Sequence, residues 1–309
     1  MCLAKPVDFL ANTGNKVKLI TLLSQKLRDR GVSVQQAKAD ADVLIVSTAI
    51  DLANVDEHPQ VVIVGEDTDL VVLLVALVPD TCDILLWKPC SGKAVNRVYS
   101  SKNLQVALGP LREHIAFAHA ISGCDTTSAP FGRGKRKAIQ LLEKNSKLRE
   151  QVSVFNDRFA EPEAIAKAGE IFLLALYGAG RNVETLDKLR FYMYNRTIGQ
   201  QSLSKVIQLA RLPPTSAAAR QHSFRTFHQV QQWFGVELPA AQWGWKMKDN
   251  SLHPNPTSLP PASDYLLNLI CCNCKSGRCT SCQCSKAGLR CTAMCGQCRG
   301  LYCGNAEEI

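Results

Sequence analysis

Apolar positions in the first half of the chain alternate between helical and strand-like spacing. From Val17 to Arg30 they fall on one helical face, shared by Leu19, Ile20, Leu22, Leu23 and Leu27, and Gly31 closes the predicted helix. Val32-Ser33-Val34 predicts a short strand. Asp40-Ala41-Asp42 opens an apolar helix running to about Ala53. Val61-Val62-Ile63-Val64 predicts a buried strand, which leads through Gly65-Glu66-Asp67-Thr68-Asp69 into another apolar helix. Asp83 to Trp87 and Val95 to Tyr99 predict two further strands that pair. Leu104 to Ile121 predicts one helix, ending at Gly123-Cys124-Asp125. Strands alternating with helices predict an α/β unit built on a mostly parallel sheet.

Beyond residue 150 the strand pattern gives way to helices, over Ala164 to Tyr177 and Val183 to Tyr194. After Leu212-Pro213-Pro214-Thr215 a helix carries Phe224, Phe227, Val230, Trp233 and Phe234 on one face, a stripe that reads as core. His222 and His228 flank it and read as ordinary polar positions. Trp243-Gly244-Trp245 is expected to pack this segment down. Pro254, Pro256, Pro260 and Pro261 then mark a linker. The expected organisation is an α/β domain over 1–150, a helical extension over 151–246, a proline-rich linker over 247–265 and a small cysteine-rich domain over 266–305.

Composition adds one strong signal. Ten of the 14 cysteines fall in the last forty residues, from Cys271 to Cys303. That stretch has too few apolar residues to fold by packing, so its sulfurs must be cross-linked by metal or by disulfides. The start of the chain lacks a charged end followed by an apolar stretch, so no secretory signal is expected. The run from Leu70 to Pro79 is too short to span a bilayer, so no membrane partner is expected. An intracellular setting keeps thiols reduced and favours zinc. A length of 309 residues accommodates about two domains. A net charge of +9 suits a polyanionic partner.

From Cys272 onward the ligands run Cys272, Cys274, Cys279, Cys282, Cys284, Cys291, Cys295, Cys298 and Cys303. Nine thiolates can hold about three tetrahedral zinc ions if three of the sulfurs are shared. Lys275, Arg278, Lys286, Arg290 and Arg299 lie between the ligands and offset the negative charge of such a cluster. Cys-Asn-Cys-Lys-Ser-Gly-Arg-Cys, Cys-Gln-Cys-Ser-Lys-Ala-Gly-Leu-Arg-Cys and Cys-Gly-Asn, over about Cys272 to Asn305, resemble a CXC domain of the tesmin/TSO1 type. The resemblance implies a three-zinc, nine-cysteine cluster that contacts DNA. Those proteins usually carry two such repeats, with a Tyr before the second Cys-x-Cys. This chain has one repeat and Ser281 at that position, which bears on sequence-specific readout. A structural or protein-binding zinc knob is the alternative.

Carboxylates cluster where α/β folds place chemistry. Asp67 and Asp69 follow the carboxyl end of a strand, Asp40 and Asp42 begin a helix, and Asp125 follows a long one. Taken singly, an Asp at a helix start reads as a cap. As a set, they are hard oxygen ligands for Mg²⁺ or Mn²⁺, suited to phosphodiester hydrolysis. Over residues 15–145 the order resembles PIN-like nucleases of the flap endonuclease group. Gly31-Val32-Ser33 leads to Ala37-Lys38-Ala39-Asp40-Ala41-Asp42, then come Gly65-Glu66-Asp67-Thr68-Asp69 and Gly123-Cys124-Asp125. The resemblance implies metal ligation, and so catalysis, by Asp40, Asp42, Asp67, Asp69 and Asp125. It also implies phosphate-backbone contact by the loop Gly132, Arg133, Gly134, Lys135, Arg136 and Lys137. The family opens on a strand ending in a metal-binding Asp. Here Asp8 is the one carboxylate ahead of the first helix and reads as a surface residue, so the active site is expected to be incomplete in this chain.

A PIN-like half, a helical segment with Leu-Pro-Pro-Thr and a CXC tail together resemble multi-copy animal proteins, which implies a mobile-element history. The expected function is nuclear binding of nucleic acid, DNA ahead of RNA, with a nuclease-derived domain. The alternatives are a working Mg²⁺- or Mn²⁺-dependent structure-specific endonuclease and a non-enzymatic adaptor.

Overall fold

A computed structural model describes residues 6–37, 40–55, 60–89, 97–180, 182–200, 209–249, 251–257, 282–286, 288, 290, 291, 295, 298 and 303–305. The chain is mixed α/β and predominantly helical. It forms two compact units, Met1–Ala116 with Gln232–Val236, and Phe117–Gln231 with Glu237–Ile309. The boundary at Ala116 and Phe117 falls inside the segment that the sequence presents as one α/β domain.

The first unit begins with α1 (Pro6–Ala11) and α2 (Thr13–Arg28). Asn12 caps α2, its side chain accepting from the Asn15 amide at 3.2 Å. None of the residues of α2 is buried. Residues 32–34 are not in a strand, since so short a run needs a neighbouring strand to complete its hydrogen bonds.

Next come α3 (Ala41–Ala53), β1 (Val61–Val64), α4 (Thr68–Leu77), β2 (Ile84–Lys88), β3 (Arg97–Ser100) and α5 (Ser101–Leu108). The sheet order is β1-β2-β3. β1 runs parallel to β2, with Val61 opposite Ile84 and Val64 opposite Trp87. β2 and β3 are antiparallel, with Leu85 opposite Ser100. The sheet is therefore half parallel rather than mostly so. β3 follows β2 after a short connection, and such a connection can only return the chain antiparallel. Ile63, Ile84 and Leu86 are buried on one face, with Leu70 and the run Val72 to Val75 of α4 also in the core. Asp83 ties the start of α5 to β2 by accepting from Ser100 Oγ at 2.8 Å, Ser101 Oγ at 3.1 Å and the Lys102 amide at 3.2 Å. Burial pushes its pKa up. The Ser100 hydroxyl, the Lys102 amide and the Ser101 hydroxyl outweigh that and hold it below the ordinary value.

The predicted helix from Leu104 to Ile121 is three pieces: α5, a 3₁₀ segment (Gly109–His114) and α6 (Ile115–Ile121). Gly109 adopts φ +50°, and Pro110 cannot donate within a helix.

The second unit contains α7 (Lys135–Lys144), α8 (Ser146–Val152), α9 (Pro162–Leu176), α10 (Leu186–Gln200) and all but the last two residues of α11 (Ser216–Trp233). Phe117, Phe155 and Phe172 form an aromatic core, with ring centroids 4.5 and 4.9 Å apart. Trp243 packs on Phe227 of α11 at 4.5 Å, as the Trp-Gly-Trp segment predicts.

α11 departs most from the sequence reading. Gln221, His222, Ser223, Arg225, Thr226, His228, Gln229 and Gln231 are all buried, so the helix has no solvent face along this stretch. Several of its polar groups donate to backbone carbonyls. His222 Nε2 donates to Ile121 at 2.9 Å, Arg225 Nη1 to Asn255 at 2.6 Å, and Gln231 Nε2 to Phe155 at 2.8 Å.

The stretch that the prolines present as a linker opens on a hairpin, β4 (Trp245–Lys248) and β5 (Ser251–Pro254), turning at Asp249 with φ +48°. The last element among the described residues is α12 (Gln283–Lys286), a single turn inside the cysteine tail.

Candidate functional site

The described cysteines of the tail gather at one point. Cys282, Cys284, Cys291, Cys295 and Cys298 are buried against one another, and Cys303 packs beside them. None of the six is in a disulfide. Cys282 and Cys291 place their sulfurs 3.7 Å apart, and Cys284 and Cys295 3.6 Å apart. A disulfide would bring them to about 2 Å. A tetrahedral zinc with about 2.3 Å bonds spaces its sulfurs about 3.8 Å apart, so the donor set fits a metal ion of this kind. Two triads, Cys282-Cys284-Cys291 and Cys291-Cys295-Cys298, each hold their sulfurs within 4.8 Å of one another. Cys291 belongs to both. This cluster could hold a metal ion. Cys272, Cys274 and Cys279 lie outside the described residues.

The backbone explains the convergence. The turn of α12 closes with the Lys286 amide donating to the Cys282 carbonyl at 2.9 Å, and the Ser285 amide points at Cys282 Sγ at 3.4 Å. Gly288 takes φ +70°, a backbone turn open to glycine, on the way to Cys291. The Cys291 amide donates to the Asn305 carbonyl at 2.7 Å, which draws the Cys303 end of the tail onto the cluster.

The acidic residues divide. The two Asp-x-Asp sequences fold alike, with the first Asp capping a helix and the second in its first turn. Asp40 caps α3 by accepting from the Asp42 amide at 2.9 Å, and Asp67 caps α4 by accepting from the Asp69 amide at 3.0 Å. Because α3 packs against α4, Asp42, Asp67 and Asp69 offer carboxylate oxygens all within 4.8 Å. Asp42 and Asp69 are half-buried and Asp67 is exposed. Asp40 is not part of this triad. These three carboxylates form a second group that could hold a metal ion.

Asp125 belongs to the second unit and stands exposed on a tight turn. Gly123 has φ +112°, and a Cβ there would lie 2.6 Å from that of Ala129. Cys124 and Thr127 bridge across the turn, and Lys135 Nζ donates to the Gly123 carbonyl at 2.7 Å.

The glycine-rich basic loop leads into α7, whose N-cap Gly134 supplies no side-chain acceptor. Arg133 donates to the Leu176 carbonyl at 3.1 Å and stacks 4.9 Å from the Tyr177 ring centre. Lys137 Nζ donates to the Gly132 carbonyl at 2.8 Å, and Arg136 is exposed. Arg133, Lys135 and Lys137 thus brace the loop as well as charging it. Sequence reasoning missed this bracing, the shared role of Cys291 and the contact from Asn305. Of these, the Cys-Gly-Asn spacing alone left a legible trace. No protein-family model matches the chain, and no curated protein or solved structure matches it either.

Proposed function

We propose that the chain is a nucleic-acid-binding protein, with DNA as its first partner and RNA its second. In this reading a PIN-like, nuclease-derived domain is joined to a CXC-type zinc tail that holds about three zinc ions. The observation that carries the reading is the pair of cysteine triads meeting at Cys291, which matches the sulfur sharing a multi-zinc cluster requires. Bound zinc would supply the folding energy that this tail, poor in apolar residues, lacks. The net charge of +9 and the uncapped, lysine- and arginine-rich start of α7 supply attraction for phosphate. A nuclear location follows from DNA as partner.

The test is binding of the full chain to duplex, branched and single-stranded DNA and to RNA over a salt series. The reading expects affinity to fall steeply with salt and to drop when zinc is stripped or Cys291 is replaced by Ser. Binding of none of these at low salt overturns it and leaves the adaptor role.

One observation favours a second reading, a Mg²⁺- or Mn²⁺-dependent phosphodiesterase, namely the convergence of Asp42, Asp67 and Asp69. A divalent ion there would activate water and stabilise the leaving oxygen. Asp42 and Asp69 would hold it, with Asp67 contributing the oxygen not occupied by its cap. Metal-dependent cleavage of branched DNA that is lost in Asp42→Asn supports this reading, and absence of cleavage in the intact chain removes it.

A further inference from the structure

Asn305 touches Cys291 twice. Its side-chain amide donates to Cys291 Sγ at 3.4 Å, and its backbone carbonyl accepts from the Cys291 amide at 2.7 Å. Cys291 is the sulfur common to both triads. A thiolate bonded to its own Cβ and to two metal ions keeps one lone pair. An N–H aimed at that lone pair disperses the remaining charge and fixes the direction of the other two. The backbone bond holds the donor in place, so the amide approaches the sulfur from a set side. Cys282, at the edge of one triad, receives a donor of the same kind from the Ser285 backbone.

We propose that Asn305 is the positioning residue of the shared thiolate and sets how tightly the cluster holds the two metal ions that meet at Cys291. The inference rests on the reading of the tail as a metal cluster, and deepens it by naming the group outside the ligand set that governs affinity. Hydrogen-bonding partners of metal ligands typically change affinity by about 10- to 100-fold when removed.

The experiment uses the full chain, loaded with zinc, and its variants Asn305→Asp, Asn305→Ala and Asn305→Gln. Asp keeps the shape of the side chain but removes the N–H donor, Ala removes the side chain, and Gln keeps the amide. The readouts are zinc bound per chain, zinc affinity by chelator competition, and the thiolate-to-metal charge-transfer band of the cobalt(II) form. The proposal expects unchanged zinc content at saturation, about 10- to 100-fold weaker retention in Asp and Ala, a shifted cobalt band, and recovery in Gln. Wild-type retention and an unshifted band in both Asp and Ala overturn it. Equal loss in all three variants also overturns it, because that pattern belongs to a packing role. An intact chain that takes up no zinc refutes the cluster reading itself, a result distinguishable from either.

Discussion

Acidification should weaken the second unit through His222. The imidazole is buried in α11 and donates to the Ile121 carbonyl at 2.9 Å. Burial pushes its pKa down from 6.5 to about 4. The bond to Ile121 opposes that shift, and the neighbouring Arg225 charge adds to it. In the unfolded chain the same group titrates near 6.5. Between these values the unfolded state binds the proton and the folded state does not, so stability rises with pH across the window. The contribution is complete above the unfolded value and is lost as pH falls through it toward the folded one. With pKa values of 6.5 unfolded and about 4 folded, this linkage amounts to about 2 kcal/mol by pH 5 and at most about 3 kcal/mol at lower pH. Urea unfolding followed by helical circular dichroism at pH 7 and pH 5 measures it. His222→Asn removes the titration, so the pH-dependent loss should shrink by about 2 kcal/mol relative to the native chain, whatever the cost of the substitution at pH 7. Equal losses in the two proteins would show that His222 is not the group responsible.

Three further outcomes follow from local geometry. Gly169→Ala should destabilise by about 1–3 kcal/mol, because an added Cβ would lie 1.9 Å from Ser223 Oγ where α9 meets α11; a thermal melt compared with Gly169→Ala/Ser223→Gly, which relieves the clash, checks it. Asp83→Ala should cost about 1 kcal/mol by removing the acceptor of two hydroxyls and an amide at the start of α5, read as a lower urea midpoint with an unchanged slope. Asp40→Ala should cost about 1 kcal/mol, through its cap on α3, without changing Mn²⁺ binding at the Asp42-Asp67-Asp69 triad, whereas Asp42→Asn should weaken that binding; calorimetric titration of each variant with Mn²⁺ separates the two roles.

The features written plainly in the sequence are those whose physics is local. Cysteine spacing in the tail announced sulfurs gathered at one point, because so few apolar residues leave little else to hold it together. Asp-x-Asp at two helix starts announced acidic first turns, and α3, β1, α4 and α9 lie close to where periodicity put them. Division of labour among the carboxylates was not legible, since it depends on α3 packing against α4 and on which Asp of each pair caps its helix. α11 was misread for a similar reason. Its Phe and Trp stripe is real, but Gln221, His222, Arg225 and Gln231 are also buried, and the carbonyls of Ile121, Asn255 and Phe155, remote in sequence, accept from His222, Arg225 and Gln231. One helix was expected where Gly109-Pro110 imposes a 3₁₀ segment, and a linker where Asp249 turns a hairpin. The mostly parallel sheet failed on β3, whose direction is set by the length of its connection rather than by its own residues.

The most direct measurement is the zinc content of the reduced chain by mass spectrometry, together with ¹¹³Cd NMR of the cadmium form. The expected result is about three metal ions per chain, at least two of them coupled through a shared sulfur, with that coupling abolished by Cys291→Ser. A content near one, or a metal-free tail with its thiols oxidised in pairs, would contradict it.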